Sequence, residues 1–203
     1  MPERLVVFAR NLLEGKVKTR IASKIGGKLA LEVYRILYNK TIQTIASLPS
    51  TIEPVIYYSD FADTDNNFSF EGIRTEVQEG SGLGERMANS LEKEFGSGAR
   101  KVCIIGTDIY GLNTQVIVNA FQRIHDNNVV IGPAKDGGYY LLGVNNFNTK
   151  LFSDISWSKP TVLKNTIKNI NNLGLKYELL EYLNDVDEFE DIPKEIIVKL
   201  NLE

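Results

Sequence analysis

Short unbroken apolar runs, separated by longer amphipathic stretches, constrain this 203-residue chain more than any other feature. Leu5-Val6-Val7-Phe8-Ala9 is apolar at every position, the pattern of a parallel strand buried on both faces. Val55 to Tyr58, Val102 to Ile105, Val129 to Gly132 and Tyr139 to Gly143 repeat that pattern. Ile73 to Gln78 and Tyr177 to Leu180 are shorter candidates. Between them, Leu29, Val33, Ile36, Leu37 and Ile45 recur at threes and fours, which predicts a helix from Ala22 to Leu48, closed by Pro49. Further helices are predicted from the glycine turn at 80–84 to Phe95, from Thr114 as N-cap to His125, from Thr161 to Leu173, and from Pro193 to Leu200. Asp60 to Ser69, rich in Asp and Asn, reads as an exposed loop. Strands alternating with helices predict an α/β fold: a mostly parallel central sheet with helices on both faces. No linker or repeat divides residues 1–203, so one domain is expected.

Composition excludes several function classes. The chain has 23 basic and 26 acidic residues, a net charge of −3, which argues against a broad nucleic-acid-binding surface. One cysteine, Cys103, cannot build a disulfide framework, and its place in an apolar run makes it inert core. The one histidine, His125, falls at a helix end and leaves no His-rich metal site. Leu5–Ala9 is too short to span a membrane or to form a signal-peptide core, so a soluble cytoplasmic protein is expected.

In parallel sheets ligands bind beyond the carboxyl ends of the strands, which directs attention to the segments after Ala9, Ser59, Ile105 and Gly132. After the first strand come Arg10, Gly15, Lys16, Lys18 and Arg20, four cations around a glycine. Arg grips phosphate bidentately and Lys as a mobile point charge; if extended, 16, 18 and 20 share a face. The segment matches neither GxxxxGK[ST] nor GxGxxG and also suits a solvated cationic turn. Asp108 follows the third long run directly. A carboxylate there suits Mg²⁺ or Mn²⁺, hard cations that bridge to phosphate oxygens. It also suits a helix cap, although Asn113 and Thr114 lie closer to the next helix. Asp185 and Asp187 point the same way from an extended chain, or else begin a helix with the acids that follow. In Lys135-Asp136-Gly137-Gly138, Asp136 can bind an acceptor hydroxyl or act as a base, and the glycines permit close approach; a plain hairpin turn reads equally well. Gly80 to Gly84, with Gly82 and Gly84, is a base-binding loop or a helix entry. Trp157 forms an acceptor-site wall or a packing lid.

Together, Phe8-Ala9-Arg10, Gly15 to Arg20, Leu83-Gly84-Glu85-Arg86, Gly106 to Leu112, Gly132 to Gly143, Asp185-Val186-Asp187 and Glu190-Asp191 resemble the DUF2064 family, labelled as a glycosyltransferase of GT-A type. The pattern is similar to nucleotide-diphospho-sugar transferases and to the molybdenum-cofactor and 2-phospho-lactate guanylyltransferases. The resemblance implies a Rossmann-like GT-A sheet and a metal at Asp108, with Asp187 as a second ligand. It also implies a basic loop, Lys18 included, that acts on the phosphates of a nucleotide or nucleotide-sugar. Tyr110 departs from the family pattern, which has proline there. A metal-dependent transferase with an unidentified small-molecule acceptor is therefore expected. Glycosyl transfer with Asp136 as base, nucleotidyl transfer releasing pyrophosphate, and a non-catalytic nucleotide-binding protein are the alternatives.

Overall fold

The computed structural model describes residues 2–62, 73–126 and 128–202. Most of the polar loop expected at 60–69 lies outside them. The strands are β1 (Glu3–Ala9), β2 (Ile52–Tyr58), β3 (Arg74–Val77), β4 (Lys101–Gly106), β5 (Asn128–Pro133), β6 (Tyr139–Val144) and β7 (Lys176–Leu179). They form a sheet in the order β3-β2-β1-β4-β6-β5-β7. β1 pairs in parallel with β2 and β4, and β5 with β7, whereas β6 runs antiparallel to β4 and β5. The unbroken apolar runs are explained by this placement: Leu5, Val6 and Val7 of β1 are all fully buried.

The helices are α1 (Thr19–Ile25), α2 (Gly27–Ala46), α3 (Leu83–Gly96), α4 (Thr114–Arg123), α5 (Val162–Asn172) and α6 (Lys194–Leu200). On one face of the sheet, Tyr38, Ile42 and Ile45 of α2 and Ile117, Ala120 and Phe121 of α4 pack on Leu5, Val7 and Ile105. On the other, Met87 and Leu91 of α3 and Ile170 of α5 pack on Val6, Ile104 and Leu142. Each such side chain, fully buried, contributes roughly 1.5–3 kcal/mol.

The helices differ from the sequence expectation in several details. The single helix expected at 22–48 is two helices, because Gly26 (φ 86°) breaks it and Thr19 already begins α1. Leu29 is 37% exposed, so Ala30 replaces it on the buried stripe. The N-cap of α4 is Asn113, whose side chain accepts from Val116 N at 3.1 Å; Thr114 instead donates to the Thr44 carbonyl at 3.0 Å. Asp108 is thereby left without a capping duty. No helix among the described residues is long and apolar enough to cross a membrane.

Candidate functional site

At the carboxyl ends of β1, β2, β3, β4 and β5 lies a cleft of about 1020 Å³. Its lining includes Arg10, Arg20, Gly82, Asp108, Asp136, Gly138, Trp157 and Asp187. These eight expected site residues come from segments scattered over most of the chain, and the fold brings them to one opening.

The basic loop is not extended, so the condition for 16, 18 and 20 to share a face is not met. It turns at residues 14–16, Gly15 has φ 75°, and Lys18 takes a left-handed conformation (φ 47°) immediately before α1. That geometry sends its cations in different directions. Arg10 donates to the Lys16 carbonyl at 3.3 Å, and Lys16 itself stands exposed outside the cleft lining. The Lys18 ammonium, on a side chain only 5% exposed, lies 2.7 Å from Asp108 Oδ1. Arg20, in the first turn of α1, donates to Asp187 Oδ2 at 2.6 Å. The backbone joins the two acids: Val186 N donates to the Asp108 carbonyl at 3.0 Å. The two carboxylates therefore sit on neighbouring segments, each about half exposed (49% and 46%) and each balanced by one cation of the loop.

Asp187 and Glu188 do not begin an α-helix directly. Their amides donate to Asp191 Oδ2 at 3.3 and 2.8 Å, within a capping box around a short 3-10 turn. Burial alone would raise the Asp191 carboxyl. The hydrogen bonds from Glu188, Asn184 and Asp187 outweigh it and hold the group below its ordinary range. Asp185 behaves oppositely: burial, then the charge of Asp136, pushes its carboxyl up.

Around Asp136, two expectations change. Asp136 Oδ1 accepts the Gly138 amide at 2.8 Å, so one of its oxygens holds the turn and only the other is free for an acceptor. Gly137 does not line the cleft. Its φ is 90°, and a Cβ there would lie 2.7 Å from the Pro160 carbonyl carbon, so its glycine serves the chain packed behind it. Gly84 is likewise buried away from the cleft: a Cβ would lie 2.6 Å from Cε2 of Trp157. Trp157 packs against its neighbours and also borders the cleft. It stands edge-on to Tyr139 (6.4 Å, 81°) and tilts against Phe152. Gly82 keeps its expected place, extended (φ −145°) and with open space where a side chain would be.

Sequence reasoning missed Arg86, Tyr34 and Thr107 as cleft residues, and Asp185, raised there beside Asp187, lines the cleft as well. Arg86 was visible within the Leu83–Arg86 segment, and its Nε donates to the Gly80 carbonyl at 3.0 Å. Tyr34 was hidden within the apolar stripe of α2. Tyr110, where proline is usual, carries Lys40 Nζ over its ring at 4.4 Å, so a cation–π contact holds that loop. Cys103 is fully buried, and burial raises its thiol well above the usual range, as fits inert core.

A family profile, described as an uncharacterized protein conserved in bacteria (DUF2064), matches residues 41–159. The chain belongs to the DUF2064 family. A solved structure from Desulfovibrio desulfuricans, provisionally named a nucleotide-diphospho-sugar transferase, is 29% identical. It covers 93% of this chain and 84% of its own, with a TM-score of 0.85. Two more distant structures share the fold. One is a 4-diphosphocytidyl-2C-methyl-D-erythritol synthase from Anaerococcus prevotii, 11% identical, TM-score 0.60, covering 98% and 96% of the two chains. The other is a CMP:2-keto-3-deoxy-manno-octonic acid synthetase complexed with CTP, 10% identical, TM-score 0.53, covering 100% of both. No curated protein matches the chain in sequence.

Proposed function

We propose that this family member is a metal-dependent transferase acting on the diphosphate linkage of a nucleotide-sugar, with the cleft at the carboxyl ends as its active site. One observation carries the reading. Two carboxylates, Asp108 and Asp187, line the opening on neighbouring segments, and each is paired with a cation of the basic segment, Lys18 and Arg20. The donor set fits a hard divalent cation, Mg²⁺ or Mn²⁺. Such an ion takes one or two carboxylates from the protein and completes its shell with phosphate oxygens and water. Both acids are half open, and among the described residues no backbone amide donates to either carboxylate. Among the described residues no group of three or more metal-binding side chains is assembled, so the rest of the ion's shell would have to come from substrate and water. When bound, the cation supplies charge neutralisation on the departing diphosphate.

The chain's own groups do the rest. With a cation on the carboxylates, Lys18 and Arg20 would be available to phosphate oxygens, beside Arg10 and Arg86 of the lining. Gly82 lets the donor approach the backbone. Trp157 covers one side of the acceptor half, and the free oxygen of Asp136 takes the acceptor hydroxyl's proton. The similarity to the Desulfovibrio protein supports sugar transfer. A second reading, nucleotidyl transfer, is favoured by the density of cations after β1: an acceptor phosphate oxygen bonds to the α-phosphorus, the α–β bridge breaks and pyrophosphate leaves.

Melting the protein with a panel of nucleoside triphosphates and nucleotide-sugars, with and without Mn²⁺, identifies the donor. Product analysis then separates the chemistries. Nucleoside diphosphate release supports sugar transfer, and pyrophosphate release supports nucleotidyl transfer. Stabilisation with no turnover on any acceptor leaves a nucleotide-binding protein, and no metal-dependent stabilisation at all overturns the proposal.

The two outer cations yield a graded expectation. Arg20→Ala should weaken donor affinity roughly tenfold at low salt, with a smaller loss at high salt, because an exposed ion contact is screened. Lys16→Ala, outside the lining, should do the same more weakly. Titrations at two ionic strengths check this, and equal affinities at low salt would remove the loop from phosphate binding.

A further inference from the structure

β1 and β4 pair as far as Phe8 and Gly106, and β1 stays paired with β2 for one residue more, at Ala9. Arg10 follows one and Thr107-Asp108 the other. Among the described residues the β1–β4 pairing goes no further, yet a gap that is to hold phosphate needs a defined width. A side chain from α2 fills the role of the missing rung. Tyr34 is 2% exposed, and its hydroxyl accepts the Arg10 amide at 2.8 Å, lies 3.2 Å from the Arg10 carbonyl, and is 3.0 Å from Thr107 Oγ1. The three contacts are compatible. A phenol oxygen accepts two hydrogen bonds, here from Arg10 N–H and Thr107 O–H, and donates one, here to the Arg10 carbonyl. Thr107 is 3% exposed, so an unmet partner would have no water to turn to. Burial, and then the charge of Asp108, hold the phenol well above its ordinary range and keep it neutral.

We propose that Tyr34 is a positioning residue: its hydroxyl is a crossbar that sets the spacing between the cationic loop and the Asp108 loop. The proposal rests on the donor-binding reading above. Its ring supports the fold by packing, and its hydroxyl serves the site, so the two roles separate in one substitution. Tyr34→Phe keeps the ring and removes the crossbar. One turn along α2, Tyr38 supplies the control. It is also fully buried, its hydroxyl is bonded to Tyr58 at 2.6 Å, and it does not line the cleft.

The test compares Tyr34→Phe with Tyr38→Phe in thermal melts, in titrations with Mn²⁺ and the donor nucleotide, and in amide hydrogen exchange at Arg10. Both variants should melt slightly below the wild type. Only Tyr34→Phe should lose donor affinity, roughly tenfold, the equivalent of one buried hydrogen bond. Only it should speed exchange of the Arg10 amide, a readout that needs no ligand. Unchanged affinity in Tyr34→Phe, an equal loss in both variants, or an Arg10 amide still protected would overturn the crossbar. A wild-type protein that binds no nucleotide would instead sink the functional proposal, and the exchange result would still decide the crossbar.

Discussion

Asp108→Ala is expected to abolish metal-dependent nucleotide binding while the protein stays folded. The carboxylate stands at the tip of β4 with half its surface open, and its described side-chain partner is Lys18. Removing it takes away one of the two acids proposed to hold the cation and leaves the ammonium uncompensated beside the phosphates. A loss of at least roughly 100-fold in affinity, about 2.7 kcal/mol, is expected. The backbone link from Val186 to the Asp108 carbonyl survives the substitution. The stability cost is then that of stranding a largely buried Lys18, about 1–2 kcal/mol, at the low end for a charged hydrogen bond because the lost partner was half in water. Asp108→Asn should lose binding equally and melt closer to the wild type, since it keeps an acceptor for Lys18. Calorimetric titration with Mn²⁺ and with EDTA, beside thermal melts, checks both. Affinity unchanged in either variant would remove Asp108 from the site.

Gly137→Ala is expected to be the most damaging single-methyl change near the cleft. Two costs add. The residue has φ 90°, a conformation that costs an L-residue about 1–2 kcal/mol. The new Cβ would also overlap the backbone of Pro160, which cannot swing aside as a flexible side chain does. Pro160 leads into α5, and Leu163 N of that helix donates to the Gly137 carbonyl at 2.9 Å, so any shift is passed to the helix entry. The total should exceed about 3 kcal/mol, a fall in melting temperature of roughly 6–12 °C for a chain of this length. Gly15→Ala is the comparison, with φ 75° and open space around it. It should show the conformational cost alone. Equal melting losses at the two positions would mean that the Pro160 contact relaxes freely.

These two residues mark the limit of what the chain reveals unaided. Asp108 was legible because two local facts suffice: an apolar run ends just before it, and carboxyl ends of parallel strands face the ligand. The same logic located the loops after β1 and β5. Gly137 and Gly84 were read as ligand contacts because a glycine beside a candidate site looks the same whether the space is kept for substrate or for protein. Only the positions of Pro160 and Trp157 show which it is.

By itself the sequence determined the alternation of strands and helices, the burial of the central strands and the end of the sheet at which the cleft opens. Those properties are written in the spacing of apolar residues within a few turns of chain. Tertiary structure alone decided that Lys18 faces Asp108, that Arg20 reaches Asp187 across 167 positions, and that a tyrosine from the stripe of α2 spans two loops. Such meetings depend on strand order, register and the left-handed turn at Lys18, and periodicity within a segment carries no record of where a distant segment will lie.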